Sequence, residues 1–236
     1  MALFVLSSCA TQPKNESVSI ESKFETAFAK ANGTSGERQE IIDLALEHPE
    51  YSSSIIYFFA ARNSFEKGKI EDAGFFFYAA QARARVELFQ NPQSPGGGGV
   101  ALAALRATIG EYVNPAILEP NIYRNITTRL EQWAVMPAKD FVSPLQSASP
   151  KSYEETKEES ISIKKRMLEY MRPMAELLEN NEYYAAVKEI QRYNLGIKYD
   201  ERELPENKKR YENAKSKIIQ IENNLGYSVM KSSLGG

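Results

Sequence analysis

Residues 70–90 read IEDAGFFFYAAQARARVELFQ, and their pattern decides the fold. Ala73, Phe76, Phe77, Ala80 and Ala84 recur at the spacing of one face of an α-helix. Phe75, Tyr78, Ala79, Ala82, Val86 and Phe89 form a second apolar stripe. The FFFY run alone would suit a strand, but its alanine-rich, β-branch-poor surroundings favour a helix. A helix that is apolar on two faces has to be covered on both, so 70–90 belongs in the middle of a helical layer. Arg83 and Arg85 are two residues apart, point away from each other and read as solvated.

The flanks continue the helical pattern. SIESKFETAFAKAN places Ile20, Phe24, Phe28 and Ala31 on one stripe before an Asn32-Gly33 stop. ERQEIIDLALEH ends ahead of Pro49, and YSSSIIYFFAARNSFEKG ends at Gly68. After NPQSPGGGG, the stretch VALAALRATIGEYV reads as a short helix ending near Gly110 and an Asn114-Pro115 turn. NIYRNITTRLEQWAVM follows as a further helix. Residues 136–152, MPAKDFVSPLQSASPKS, read as a linker because prolines and serines crowd them. Beyond it lies YEETKEESISIKKRMLEYMRPMAELLEN, whose Pro173 should kink or split the helix. EYYAAVKEIQRYNLG and ENKKRYENAKSKIIQIENNLG close the series, and GIKYDE is the one short alternating stretch that suits a strand.

The expected fold is therefore all-α, built of stacked antiparallel helical hairpins. An N-terminal helical region, 20–135, is joined through the 136–152 linker to a C-terminal region, 153–228, packed on the first. A mobile tail, 229–236, follows.

Composition narrows the chemistry. The 236 residues are 42% apolar and 25% charged, with a net charge of −2 from 29 basic and 31 acidic residues. That is enough apolar material for a core. The charge balance disfavours a nucleic-acid partner, which needs clustered cations. One cysteine excludes an internal disulfide, and one histidine excludes a paired-histidine metal site. His48, directly before Pro49, reads as the C-terminal residue of a helix, where it complements the dipole. Glycines 96–99 before a helix lack the lysine of a phosphate loop and read as a connector. Asn125-Ile126-Thr127 matches a glycosylation acceptor by coincidence. The carboxylates occur in runs with nearby lysines, as on a solvated helix face. No catalytic residue, cofactor or metal is expected, and the chain reads as a non-enzyme.

Leu6-Ser7-Ser8-Cys9 resembles the lipobox of bacterial lipoproteins. The resemblance implies lipidation at Cys9, with residues 1–8 as the remnant of a signal peptide and 9–19 as a flexible polar tether. Acyl chains added at such a site hold a protein on the membrane when two or more are present. Ala10 in the following position resembles the sorting pattern for the outer membrane, on the periplasmic side of the bacterial envelope. Departures from a full export signal are the short apolar run Ala2–Leu6 and the absence of a basic residue before it.

YFFAARNSFEKGKIEDAGFFFYAAQARA resembles tetratricopeptide and Sel1-like helical hairpins in the order Phe65, Gly68, Ala73, Tyr78, Ala82. AELLENNEYYAAVKEI is a weaker echo, and the interval between them is not a regular array. Residues 45–200 further resemble a poorly characterised group of bacterial proteins, several of them lipoproteins, which implies an all-helical fold and a bacterial source and transfers no catalytic residue. Two functions stay open. One is a lipid-anchored protein-binding module, most concretely an immunity protein that neutralises an antibacterial toxin such as a secretion-system effector. The other is an envelope scaffold or assembly lipoprotein with no toxin partner.

Overall fold

The computed structural model describes residues 20–30, 33–92, 98–145, 147–196 and 204–227. Cys9, the tether and the tail lie outside the described residues, as do 197–201 of the expected strand and the side chains of Phe24 and Phe28. The protein is all-α. Its helices are α1 (Ile20–Ala29), α2 (Ser35–Glu47), α3 (Ser54–Glu66), α4 (Ile70–Gln90) and α5 (Gly98–Ala116). They continue with α6 (Pro120–Gln132), α7 (Tyr153–Leu178), α8 (Asn181–Gly196) and α9 (Pro205–Leu225).

Local signals set most of the boundaries. Thr34 and Glu37 form a capping box at the start of α2, each serving the other's backbone N–H. His48 is the C-cap of α2, and its N–H donates to the Leu44 carbonyl. Ser53 caps α3 by accepting from the Ile56 N–H. Gly68, at φ 71°, turns the chain from α3 into α4 in a conformation that disfavours any side chain. A second capping box, Ser152 with Glu155, starts α7.

Two expectations are corrected. Helix α5 does not end near Gly110 or at an Asn114-Pro115 turn; it runs on to Ala116. Gly110 serves packing instead of stopping the helix: a Cβ there would lie 2.9 Å from Phe77 Cζ. Pro115 falls in the last turn, where it removes a terminal hydrogen bond and leaves the interior run intact. Helix α7 is not split at Pro173 but runs through it to Leu178, with Met171 and Ala175 on either side buried.

Helix α4 is the centre of the molecule. It packs on α3, α5, α6 and α7. Ala73, Phe76, Ala80 and Ala84 are buried on one side, and Phe75, Ala79, Ala82 and Val86 on the other. Gly74 lets the α5–α6 turn and α6 come close, since a Cβ there would meet Ile126 Cδ1 at 2.3 Å and Ile117 Cγ2 at 2.8 Å. Helix α8 packs on α7 and α9, and the buried Tyr183 hydroxyl donates to the Glu222 carboxylate at 3.0 Å.

The segment between α6 and α7 is laid against the body as a strap. The Ala138 N–H donates to the Glu50 carbonyl at 2.9 Å, and the Lys151 N–H to the Gln90 carbonyl at 2.8 Å. The Tyr51 hydroxyl donates to the Asp140 carboxylate at 3.0 Å, while Val135 and Leu145 are buried.

Candidate functional site

Two charged features depart from a plain helical core, one inside it and one on its surface. The inner one is Arg83 with Glu87, one turn apart on α4 and both fully buried. This overturns the reading of Arg83 as solvated and of every carboxylate as surface. Both residues lie on the apolar stripe: Arg83 follows Phe76 and Ala80, and Glu87 follows Ala80 and Ala84. Opposite charges one turn apart on a buried stripe were the signal in the sequence.

Glu87 accepts from the Ser54 N–H at 2.8 Å and from the Ser54 hydroxyl at 2.7 Å. Ser54 opens α3, so a carboxylate from the neighbouring helix satisfies an N–H that α3 itself cannot. The negative charge also meets the positive end of that helix. Arg83 Nη2 donates to the Pro49 carbonyl at 3.0 Å, which also accepts from the Tyr57 hydroxyl at 2.9 Å. Trp133 Nε1 donates to that hydroxyl at 3.1 Å. The guanidinium carbon lies 5.8–5.9 Å from the ring centres of Tyr57, Trp133 and Phe141, within cation–π range. Burial pushes the Glu87 carboxyl above the ordinary carboxylate range, against the Ser54 hydrogen bonds and Arg83. Burial also pulls Arg83 below its usual value, opposed by Tyr57, Glu87 and Glu50. The centre locks the α2–α3 corner, α4, the end of α6 and the strap together, and both charges are enclosed. Its role is structural.

The outer feature is a stripe on α4, on which α5 and α7 both pack. Its residues Tyr78, Gln81, Arg85 and Leu88 are half-buried or exposed. Arg106 of α5 and Arg166 of α7 are close enough to Arg85 to oppose its charge. Desolvation first, and then these two neighbours, pull the Arg85 guanidinium below its usual value. Arg166 is held by Glu159 at 2.6 Å and by the Ser162 hydroxyl at 2.6 Å. Arg85 and Arg106 have no hydrogen-bond or ion-pair partner among the described residues.

The stripe differs at its two ends. At one, Tyr78 and Tyr123 meet edge to face at 6.4 Å, with Tyr170 of α7 near enough to act on both phenols. Burial pushes all three phenols up. At the other, Leu88 lies beside the first turn of α5, 3.6 Å from the Cβ position of Gly99, and Val100 is 74% exposed.

Of the residues singled out from sequence, Cys9 is outside the described residues, and His48 serves as a helix cap with Nδ1 3.9 Å from Glu50. Gly98 and Gly99 form the first turn of α5, and 93–97 are outside the described residues. Thr127 of the Asn125-Ile126-Thr127 match is buried and bonds the Tyr123 carbonyl. Among the described residues no group of three or more His, Cys, Asp or Glu is placed to hold a metal ion. No helix there is long and apolar enough to cross a membrane. Comparison with protein-family models, with curated proteins and with solved structures gives no match.

Proposed function

We propose that the chain is a lipid-anchored protein-binding module of the bacterial envelope, tethered through Cys9 on the periplasmic side of the outer membrane. Its most concrete form is an immunity protein that binds and neutralises an antibacterial toxin such as a secretion-system effector. The observation that carries the binding reading is the open face of α4. The most enclosed helix of the molecule keeps one stripe uncovered between α5 and α7, and cations with no partner among the described residues stand there. The α3–α4 hairpin, turned at Gly68, is the unit that resembles tetratricopeptide and Sel1-like proteins, which grasp partners on such faces. Glu87, the most buried acid on α4, is engaged with Ser54, which supports binding over catalysis.

Two assays test the reading. Protein made in bacteria should carry diacylglycerol on Cys9 by mass spectrometry, and Cys9→Ala should leave a soluble, unacylated product. A Cys9→Ala product that still partitions with membranes refutes the anchor. Cells expressing the chain should survive a toxin encoded beside its gene, and the two purified proteins should form a complex. Loss of envelope integrity on deletion, with no toxin bound, favours the scaffold role instead.

A further inference from the structure

We propose that residues 134–145 of the strap form a lid over Arg83, which opens while the helices stay folded, and that the buried guanidinium itself favours the opening. The inference does not rest on the protein-binding reading above. Arg83 is fully buried, yet only its Nη2 finds an acceptor among the described residues, the Pro49 carbonyl. Nε and Nη1 are shut off from solvent with no hydrogen-bond partner there. Glu87, one turn away, is committed to Ser54, and the Tyr57 hydroxyl oxygen already receives Trp133 Nε1. Idle donors on a buried cation carry a desolvation cost that contact with water removes.

The lid is the part of the enclosure that can give way. Tyr57 and Trp133, on two sides of the guanidinium, belong to α3 and to the C-cap of α6. Phe141, whose ring centre is 5.9 Å from the guanidinium carbon, belongs to the lid and is only half-buried. The chain is fixed on either side of the lid. Lys164 Nζ donates to the Trp133 carbonyl at 2.7 Å, and the Lys151 N–H holds the Gln90 carbonyl. Between these points the Ala138 N–H donates to the Glu50 carbonyl, Asp140 accepts from the Tyr51 hydroxyl, and Val135 and Leu145 are buried. The bond to Asp140 is exposed and exchanges readily for bonds to water.

Closing the lid buries its apolar side chains, and opening it releases Arg83 to solvent. A buried donor left idle costs more than one cation–π contact of this length returns, so Arg83 pushes the lid open on balance. The helices stay joined through Glu87 and Ser54 when it lifts.

The experiment is amide hydrogen exchange by NMR on the full chain with Cys9→Ser, in urea too dilute to unfold it. The Ala138 amide should exchange through an opening that urea barely promotes, while the Ala80 amide, inside α4, exchanges by global unfolding. Arg83→Met removes the idle donors and leaves a side chain suited to aromatic surroundings. It should slow Ala138 exchange by about tenfold. Asp140→Ala loosens the lid from outside and leaves Arg83 in place. In that variant phenylglyoxal, a guanidine-specific reagent, should label Arg83 at least about threefold faster than in the parent, with Ala80 exchange unchanged.

Ala138 exchanging only together with Ala80 overturns the proposal, since the segment then opens only with the whole fold. Unchanged or faster Ala138 exchange in Arg83→Met overturns it too, because the guanidinium is then not pushing the lid open. Equal labelling of Arg83 in Asp140→Ala and the parent does the same, and applies even if Arg83→Met does not fold. A long-lived internal water giving a nuclear Overhauser contact with the Arg83 Nε proton also overturns it, by satisfying the donors with the lid closed.

Discussion

Replacing Glu87 by alanine removes the carboxylate that joins α3 to α4. Ser54 is fully buried, and its N–H and hydroxyl lose their acceptors together. Each buried donor left unmade costs about 1–3 kcal/mol. Arg83, buried one turn away, also loses the nearest opposing charge on its own helix. Breaking a buried charged arrangement by deleting one member costs about 3–5 kcal/mol, and the two hydrogen bonds alone bring the sum into that range. A domain of this size has a total stability of about 5–15 kcal/mol, so Glu87→Ala should remove a substantial share of it. Glu87→Gln is the contrasting case. Its carbonyl still accepts from the Ser54 N–H, its amide donates to the Ser54 oxygen, and the side-chain volume is kept. With both contacts to Ser54 kept, Glu87→Gln should cost less than Glu87→Ala, about 1 kcal/mol. Urea unfolding followed by circular dichroism and by fluorescence of Trp133, the one tryptophan in the chain, measures both. Glu87→Ala costing under about 1 kcal/mol, or Glu87→Gln costing as much as Glu87→Ala, refutes the reasoning.

The pH dependence of the same site follows from its sign. The native carboxyl is pushed up, so between the ordinary carboxylate value and the native one the folded state binds more protons than the unfolded state. Stability should fall as pH rises through that window, and the unfolding midpoint of the wild type relative to Glu87→Gln should fall with it. Tyr57→Phe strips Trp133 Nε1 of its acceptor and should cost about 1–3 kcal/mol in the same assay, with a shift in the indole emission. Gly68→Ala places a side chain at φ 71° and should cost about 1–2 kcal/mol by urea unfolding, with no change in helix content. Ser152→Ala removes the oxygen that receives the Glu155 N–H and should cost about 1 kcal/mol, seen as faster hydrogen exchange in the first turn of α7.

The periodicity of 70–90 was sufficient to place α4 at the centre, because two apolar stripes on one helix admit no other position. The glycine stops were equally legible: Gly68 and Gly226 both lie just past a helix end at positive φ. Gly110 and the Asn114-Pro115 pair misled, since a glycine that admits the Phe77 ring looks the same in sequence as one that ends a helix. Arg83 and Glu87 misled for a related reason. Their types suggest solvent, while their burial depends on Ser54, Pro49 and Trp133, partners 33 or more positions away in the chain. The surroundings of Arg85 were not legible either. Arg106 and Arg166 are far from it along the sequence, and the packing of α5 and α7 on α4 brings them within electrostatic reach.

The strap has a consequence for the order of folding. The α3–α4 hairpin closes over a short stretch of chain, with Ser54 meeting Glu87 across 33 positions. The strap's contacts reach much further, with Trp133 meeting Tyr57 across 76 positions and Asp140 meeting Tyr51 across 89. Closing long loops is slow, so the hairpin should assemble before the strap docks. Trp133 belongs to the later event, and its emission should change after helix signal has begun to appear by circular dichroism; the two signals rising together would refute that order.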